Sequence, residues 1–290
     1  MVARRLDLLA IVGPTASGKT GLSIAIAKKY NGEIIAADSR TVYKYLDIGT
    51  AKPSKKEQQG IRHWGFDLVG PGESYSAAEF QKYAFNIIKD IKKRGKIPII
   101  VGGSGLYIDS VLYNYSFAQP DVLQRHKLDS FTIPELQQLI IDKQLLMPEN
   151  SQNKRYLIRT IERENTPITR QPLSNFTCVM GLQPSKEVLK ERIETRAEQM
   201  LDDGVVEEIK RAYTLYPEDS EALRGGIYRS FLPFIYGTMS KSEAIAHFVK
   251  SDEQLAKRQR TWFRRNHDIH WFADTGSAEA WFNSQYGGTL

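Results

Sequence analysis

Short apolar runs alternate with longer amphipathic segments over the first hundred residues of the chain. The runs are rich in β-branched residues and predict buried strands over 8–12, 33–37 and 96–101. Between them, the helical spacing of apolar positions predicts helices over 19–29 and 76–94. Strands that alternate with helices are typical of a mostly parallel sheet with helices on both faces, so we predict an α/β fold.

Local signals add detail to two of these elements. Pro98 lies in the third predicted strand, and because proline has no N–H for a sheet, this strand is expected to begin there or to lie at an edge. The helix over 76–94 carries a capping-box pattern at Ser76 and Glu79 and a glycine, Gly95, after its last turn. Both ends of that helix are therefore predicted.

The pattern changes in the middle of the chain. Residues 121–166 have the spacing of short helices joined by polar connections, and a last strand is predicted over 177–182. Three further helices are predicted in the C-terminal part, over 186–201, 205–213 and 242–265. We therefore interpret residues 1–112 and 177–290 as one α/β domain and residues 113–176 as a helical insertion.

The composition excludes several classes of protein. Of 290 residues 41% are hydrophobic, which excludes a disordered chain, and 40 Lys and Arg against 34 Asp and Glu leave a charge of +6. This mild excess permits a polyanionic partner without requiring one. One cysteine, Cys178, excludes an internal disulfide and a multi-cysteine zinc site. No apolar run approaches the roughly 18 residues of a membrane span, so we expect a cytoplasmic protein without a membrane partner. We also expect a monomer.

Residues 13–20 lie between the first predicted strand and the first predicted helix. Their sequence, GPTASGKT, fits the P-loop pattern G-x-x-x-x-G-K-[ST], in which backbone N–H groups and a helix N-terminus bind phosphates. The alternative, a chance glycine-rich turn, does not explain why a strand and a helix flank it. The loop therefore predicts a di- or triphosphate ligand and leaves the reaction open. The predicted phosphate-binding residues are Gly13, Pro14, Thr15, Ala16, Ser17, Gly18, Lys19 and Thr20.

Two more polar segments follow predicted strands. Asp38 comes just after the second strand, and the segment GGSGLY at 102–107, with Ser104, follows the third. Because the carboxyl ends of parallel strands meet at one edge of a sheet, both segments are expected to face the same crevice as the 13–20 loop. The alternatives remain open at this point: Asp38 capping a local turn, and the glycines forming a tight turn.

Six motifs in order span nearly the whole chain. They are GPTASGKT at 13–20, DSRTVYK at 38–44, DIGTAKP at 47–53, YSAAEF at 75–80, GGSGLY at 102–107 and QLAKRQRTWFRR at 254–265. Together they resemble the motifs of the tRNA dimethylallyltransferase family. The chain differs from the usual family motifs in having Thr41 for a glutamine, Ser104 for a threonine and Gly226-Ile227 for the reverse order.

The resemblance implies a P-loop NTPase-like fold and a reaction. A dimethylallyl group is transferred from dimethylallyl diphosphate to the exocyclic amino group of the adenosine 3′ to the anticodon of a tRNA. In this family the loop holds the diphosphate of the donor instead of ATP. Carried over, Asp38 is the general base, Thr15, Lys19 and Thr20 bind the diphosphate with Mg²⁺ through Thr20, and Arg224 is a second cation for the leaving group.

The resemblance also implies where the anticodon stem-loop of the tRNA binds. Residues 254–266 carry five cations and no acid, and such cations supply RNA affinity through phosphate contacts. The alternative is a solvated basic helix whose Trp262 and Phe263 pack on the core. The implied tRNA-binding residues are Asp38, Ser39, Arg40, Thr41, Ser104, Arg155, Tyr156, Leu157, Ile158, Arg159, Gln254, Leu255, Ala256, Lys257, Arg258 and Gln259.

Two other functions compete with this prediction. A P-loop small-molecule kinase would hold ATP in the 13–20 loop and use Asp38 to accept the proton of a substrate hydroxyl. A nucleotide-regulated RNA-binding protein without catalysis would use the basic C-terminal segment and give Asp38 no task. The kinase leaves the cation-only segment unexplained, so the prenyltransferase remains the favoured hypothesis.

Overall fold

Six parallel strands form one sheet in the part of the chain that the computed structural model describes, residues 5–117, 122–164 and 166–287. The strands are β1 (Leu8–Val12), β2 (Gly32–Ala36), β3 (His63–Trp64), β4 (Ile97–Gly102), β5 (Thr177–Leu182) and β6 (His270–Phe272). Their order across the sheet is β3-β2-β4-β1-β5-β6, and all neighbouring pairs are parallel. The predicted α/β fold with a mostly parallel sheet is confirmed.

Eleven α-helices connect and cover these strands over the same described residues. They are α1 (Lys19–Lys29), α2 (Ala77–Lys93), α3 (Gly105–Leu112), α4 (Val122–Asp129), α5 (Ile133–Asp142), α6 (Lys154–Arg163), α7 (Lys186–Asp202), α8 (Val205–Leu215), α9 (Gly226–Ile235), α10 (Lys241–Phe263) and α11 (Thr275–Tyr286). None of the helices that the structure describes has the length and apolar character needed to cross a membrane.

The strand β4 decides between the two positions expected for Pro98, because it begins at Ile97, next to the proline, and does not lie at an edge. It lies between β2 and β1, inside the sheet, although Pro98 favours an edge position. The pairing of β4 with β1 begins at Ile99 opposite Leu9, one residue after the proline. Pro98 is paired with Glu33 of β2 but comes before the pairing with β1 begins, so the central strand accepts it near its start.

The described chain divides into two compact units. The larger consists of residues 1–112 and 173–290, and the smaller of residues 113–172. The larger unit has an apolar core of sheet residues, such as Leu9 and Ile11, packed with residues of α1 and α11. The smaller unit has its own core, formed by Leu128, Leu136, Ile140, Leu157, Ile158 and Ile161. Each unit therefore buries an apolar cluster of its own.

Candidate active site

The carboxyl ends of the central strands bring together the polar segments predicted from the sequence. The Oγ of Ser104 accepts a hydrogen bond of 2.9 Å from the backbone N–H of Ser39, and the Ser104 N–H donates to the carbonyl of Ala37 at 3.3 Å. A Cβ added to Gly103 would lie 3.4 Å from the carbonyl oxygen of Gly13. The loops after β1, β2 and β4 therefore meet at one edge of the sheet.

The 13–20 loop turns tightly from β1 into α1. Gly13 has a φ of +148°, and a Cβ there would lie 2.5 Å from the carbonyl oxygen of Leu182. Gly18 adopts a left-handed conformation with a φ of +94° and caps the N-terminus of α1. Glycine is required at both positions, and the loop directs the positive end of the α1 dipole toward any anion in it.

Lys19 lies within the curve of this loop. Its Nζ donates to the carbonyl of Pro14 at 2.5 Å and to the Oγ of Ser17 at 3.4 Å. Burial lowers the pKa of the Lys19 amine to about 8, while the negative charge of Asp38 opposes this shift and the positive charge of Arg196 adds to it. The ammonium group is therefore held in the loop at neutral pH and titrates close to it.

Asp38 both caps a turn and contributes charge to the loop. One carboxylate oxygen, Oδ1, accepts a 2.8 Å hydrogen bond from the backbone N–H of Arg40, as the turn-capping alternative predicts. The same carboxylate is close enough to Lys19 to affect its pKa. Asp38 therefore caps a turn and also faces the crevice of the 13–20 loop, because the local hydrogen bond fixes its carboxylate beside that loop.

Several predicted tRNA-binding residues have side chains that are hydrogen-bonded to, or buried among, other parts of the protein. The guanidinium of Arg40 donates to the backbone carbonyl of Glu221, and the hydroxyl of Thr41 donates to the carbonyl of Asp38 at 3.3 Å. Four residues of this predicted set have side chains that are buried in this structure. These are Thr41, Leu157, Ile158 and Ala256.

Arg224 makes its hydrogen bonds outside the 13–20 loop. It forms an ion pair of 3.1 Å with Glu221 and donates to the carbonyl of Asp219 at 3.4 Å, with its side chain about half exposed. Glu221 accepts hydrogen bonds from both arginines: its side chain accepts from Arg224, and its backbone carbonyl accepts from Arg40. Arg224 is thereby linked to the loop that carries Asp38. Direct contact with the 13–20 loop comes instead from two arginines of α7. Arg192 donates to the backbone carbonyl of Ala16 at 3.3 Å, and Arg196 contacts Thr15.

Arg196, the second of these α7 residues, was not singled out in the sequence. Its Nη2 donates to the Oγ1 of Thr15 at 2.9 Å and also bonds the carboxylate of Asp252, which is 7% exposed. Thr15 is held from a second side, because its backbone N–H donates to Oε1 of Gln259 at 2.8 Å. Two helices distant in sequence, α7 and α10, therefore fix the loop.

The C-terminal part of α10 has one face on the protein and another in solvent. Phe263 is fully buried, and Trp262 lies against Gly105 and donates from Nε1 to a carboxylate oxygen of Asp109 at 2.7 Å. Lys257 and Arg258 are exposed. They line a shallow groove with Gln254, Thr261, Trp262 and Arg265. The packed aromatic pair and the basic surface are therefore two sides of the same helix.

The basic cluster of the smaller unit also has both exposed and partly buried members. On α6, Arg155 and Tyr156 are exposed, whereas Arg159 is partly buried, and this burial lowers the pKa of its guanidinium. Arg125 on α4 forms an ion pair of 2.8 Å with Glu162 of α6. Arg155, Tyr156 and Arg159 therefore form the polar face of α6, while its apolar face forms the core of this unit.

A buried carboxylate organises the DIGTAKP segment. Glu208 on α8 is 3% exposed and accepts hydrogen bonds from the backbone N–H groups of Asp47, Ile48 and Gly49 at 2.7, 2.8 and 2.8 Å. It also accepts a hydrogen bond of 2.8 Å from the hydroxyl of Tyr228. A Cβ on Gly49 would lie 2.7 Å from the Tyr228 ring, so the segment packs closely against α9. This motif therefore has a structural function that its sequence did not predict.

The donor set at the loop fits a magnesium ion that arrives with a phosphate ligand. No cluster of three or more His, Cys, Asp or Glu side chains able to hold a metal occurs among the described residues. Mg²⁺ is commonly bound by one or two protein oxygens together with substrate phosphates. The hydroxyl of Thr20, exposed in the first turn of α1, supplies an oxygen of that kind.

Comparison with known proteins gives consistent matches over most of the chain. A family model described as IPP transferase matches residues 41–266. The tRNA dimethylallyltransferase of Anoxybacillus flavithermus is 41% identical over 278 residues, which cover 91% of this chain and 89% of the relative. The tRNA dimethylallyltransferase of Staphylococcus epidermidis is 38% identical over 284 residues, which cover 91% of this chain and 86% of the relative.

Solved structures agree with these matches. The tRNA delta(2)-isopentenylpyrophosphate transferase from Staphylococcus epidermidis has a TM-score of 0.72 at 35% identity, covering 98% of this chain and 99% of the other. A structure described as a eukaryotic dimethylallyltransferase acting on tRNA has a TM-score of 0.74 at 27% identity, covering 97% of this chain and 76% of the other. The chain therefore belongs to the IPP transferase family and is a prenyltransferase, as its motifs predict.

Proposed function

We propose that this enzyme transfers the dimethylallyl group of dimethylallyl diphosphate to the exocyclic amino group of the adenosine 3′ to the anticodon of a tRNA. One observation carries the proposal. Gln259 on the basic helix α10 accepts a hydrogen bond from the N–H of Thr15, at 2.8 Å, within the 13–20 loop. A cationic surface suited to binding RNA thus contacts a loop suited to binding phosphate. The carboxylate of Asp38, which can accept a proton, lies beside that loop.

The 13–20 loop is the proposed site of the donor's diphosphate. Its curved backbone and the N-terminus of α1 favour an anion, and Lys19 supplies a positive charge within the loop. Mg²⁺ held by Thr20 and by the diphosphate oxygens would neutralise further charge on the leaving group. The donor therefore binds through its charged end, and the reactive allylic carbon is directed away from the loop.

The proposed reaction is a substitution at that carbon. The amino nitrogen of the adenine forms a bond to the first carbon of the dimethylallyl group, and the bond from this carbon to the diphosphate oxygen breaks. The electron pair of the broken bond leaves with the diphosphate, and the amine proton passes to the carboxylate of Asp38. Lys19 and Thr15 stabilise the negative charge that grows on the departing oxygens.

The tRNA is the proposed acceptor because the exposed cations lie on a surface next to this loop. Lys257, Arg258 and Arg265 line the groove on α10, where they supply phosphate contacts without sequence information. The polar face of α6 in the smaller unit carries Arg155 and Arg159 in consecutive turns. A relative of known structure is described as acting on tRNA, which supports the same acceptor here.

The P-loop kinase is the second candidate function. It uses the same loop and the same carboxylate, but it does not require Gln259 and the cations of α10 beside the phosphate site. The experiment that separates the two functions incubates unmodified tRNA with the enzyme, Mg²⁺, dimethylallyl diphosphate and ATP, and then measures the tRNA by mass spectrometry and the remaining ATP. We expect a gain of one prenyl unit in the fragment with the adenosine 3′ to the anticodon.

A matched tRNA with guanosine at that position should gain no prenyl unit. ATP consumption without any change in the tRNA would contradict the proposal and support the kinase. A prenyl unit on a different nucleotide would retain the reaction and exclude the proposed target base.

The low pKa of Lys19 leads to a pH dependence of diphosphate binding. The Lys19 amine has a pKa of about 8, so it is protonated and attracts an anion below that pH and becomes neutral above it. We expect the dissociation constant of inorganic diphosphate to be nearly constant below pH 8 and then to rise by up to about tenfold per pH unit. Isothermal titration calorimetry across this range measures the change.

The variant Lys19→Met is the control for the titration of diphosphate itself. It retains the ligand's own pH dependence and lacks the amine, so the ratio of the two dissociation constants isolates Lys19. If the wild-type and Lys19→Met profiles run parallel between pH 7 and about pH 9, the charge of Lys19 does not contribute to diphosphate binding.

A further inference from the structure

Thr15 in the 13–20 loop is hydrogen-bonded to an arginine from a helix that is distant in sequence. The Nη2 of Arg196 donates a hydrogen bond of 2.9 Å to Oγ1 of Thr15, although 181 residues separate them. A guanidinium has donors only, so Oγ1 must act as the acceptor in this bond. The hydroxyl hydrogen of Thr15 is therefore left to donate elsewhere, as a group that binds an anion should.

Arg196 is itself held by a buried acid. The same Nη2 bonds the carboxylate of Asp252, which is 7% exposed on α10. Burial raises the pKa of the Asp252 carboxyl, as does the nearby charge of Asp38, and the positive charge of Arg196 opposes the shift. The guanidinium thus lies between Thr15 and a buried carboxylate whose charged form it favours.

The arrangement has a cost that stability alone does not explain. The Nε–H of Arg196 is buried and has no hydrogen-bond partner within the described part of the chain. Unsatisfied buried donors are rare in folded proteins and commonly mark functional positions. Arg196 also lowers the pKa of Lys19 through its charge, which places it in the electrostatic environment of the same loop.

We propose that Arg196 and Asp252 form a positioning pair that acts through Thr15. Asp252 orients the guanidinium, the guanidinium fixes Thr15 as a donor, and the Thr15 hydroxyl then donates to the diphosphate oxygen that leaves the allylic carbon. The pair is expected to affect the transfer step and to leave tRNA binding unchanged. This inference rests on the proposed function, since the leaving diphosphate is the group that Thr15 serves.

Single-turnover prenyl transfer tests the role of Arg196. We expect Arg196→Met to lower the transfer rate by about 10-fold to 10²-fold, as small displacements of catalytic groups do, with the KM for tRNA unchanged within about twofold. The control Lys190→Met removes a cation from the same helix, where Lys190 is exposed and 3.8 Å from Glu194. It should keep the wild-type rate within about twofold.

A variant with both partners made apolar separates positioning from misfolding. Arg196→Met leaves Asp252 buried without its cation, which can destabilise the fold, whereas Arg196→Met/Asp252→Leu leaves no unpaired charge. The double variant should unfold at a temperature close to that of the wild type and lose the same 10-fold to 10²-fold in rate, about as much as Arg196→Met. A double variant that is stable and fully active overturns the proposal.

A double-mutant cycle with Thr15→Ala tests whether the pair acts through Thr15. If it does, Arg196→Met lowers the rate of Thr15→Ala by less than about threefold, because the hydroxyl that it orients is already absent. Equal losses in both backgrounds overturn the proposal, since Arg196 would then act independently. A wild-type enzyme that transfers no prenyl group overturns the proposed function and this role together, whereas an active wild type with an equally active Arg196→Met variant overturns this role alone.

Discussion

Replacement of Asp38 by alanine should lower the rate of prenyl transfer by about 10²–10⁴-fold, the contribution of a well-placed general base. The aromatic amine of adenine is a weak nucleophile, so a carboxylate that takes its proton helps most as the new bond forms. In this structure the Asp38 carboxylate is fixed by the N–H of Arg40 at 2.8 Å and lies near Lys19. Single-turnover kinetics with saturating tRNA and donor measure the loss.

The variant Asp38→Asn is the matched control for the turn. Its side-chain carbonyl can still accept from the Arg40 N–H, but the amide cannot accept the amine proton. We expect it to be about as slow as Asp38→Ala, while both variants bind tRNA within about threefold of the wild type in a filter-binding assay. Full activity of Asp38→Asn would remove Asp38 as the base and leave only its role in the turn.

Replacement of Glu208 by alanine should lower the free energy of unfolding by roughly 3–5 kcal/mol, because several buried donors lose a charged acceptor at once. The carboxylate accepts from the N–H groups of Asp47, Ile48 and Gly49 and from the Tyr228 hydroxyl. The Glu208 side chain is 3% exposed, so water has little access to take its place as the acceptor. Urea unfolding followed by circular dichroism measures the change.

Two other variants calibrate this effect. Tyr228→Phe removes one donor to the same carboxylate and should cost about 1–2 kcal/mol. Glu207→Ala, one position earlier on α8, removes an exposed acid paired with Lys210 and should change the stability by less than about 0.5 kcal/mol. If Glu208→Ala is no less stable than Glu207→Ala, the carboxylate does not hold the segment in place.

The sequence predicted well those elements whose patterns are long and uninterrupted. The predicted bounds of β1, α1 and β5 are those of the structure, and the capping box of Ser76 and Glu79 is formed at the start of α2. Burial on both faces gives such strands a continuous apolar run, and helices of three turns show a clear spacing. Their positions follow from local chemistry.

Three of the elements that were missed have short or contradictory patterns. β3 and β6 have two and three residues, too few for a period to be recognised. α9 begins at Gly226 and contains Pro233, and both residues argue against a helix in local terms. Packing decides in favour of the helix, because Tyr228 and Phe231 are fully buried there.

Some residues of the candidate site could be predicted from local sequence patterns, and others could not. The 13–20 loop and Asp38 are recognisable because a contiguous motif and the end of a strand carry them. Arg196, Asp252 and Gln259 are ordinary polar residues on helices, and only tertiary contacts bring them to Thr15. A contact between residues 181 or 244 positions apart has no signature in one sequence, so the support of the loop could not be predicted.

The bond between Thr15 and Gln259 also bears on when the enzyme becomes competent during its synthesis. Chains emerge from the ribosome N-terminal end first, so the 13–20 loop leaves it long before the helix that supports it. The Thr15 N–H gains its acceptor only after 244 further residues have been made. A nascent or truncated chain that ends before Gln259 thus carries the 13–20 loop without this support, and the two parts of the candidate site cannot assemble until α10 has been made.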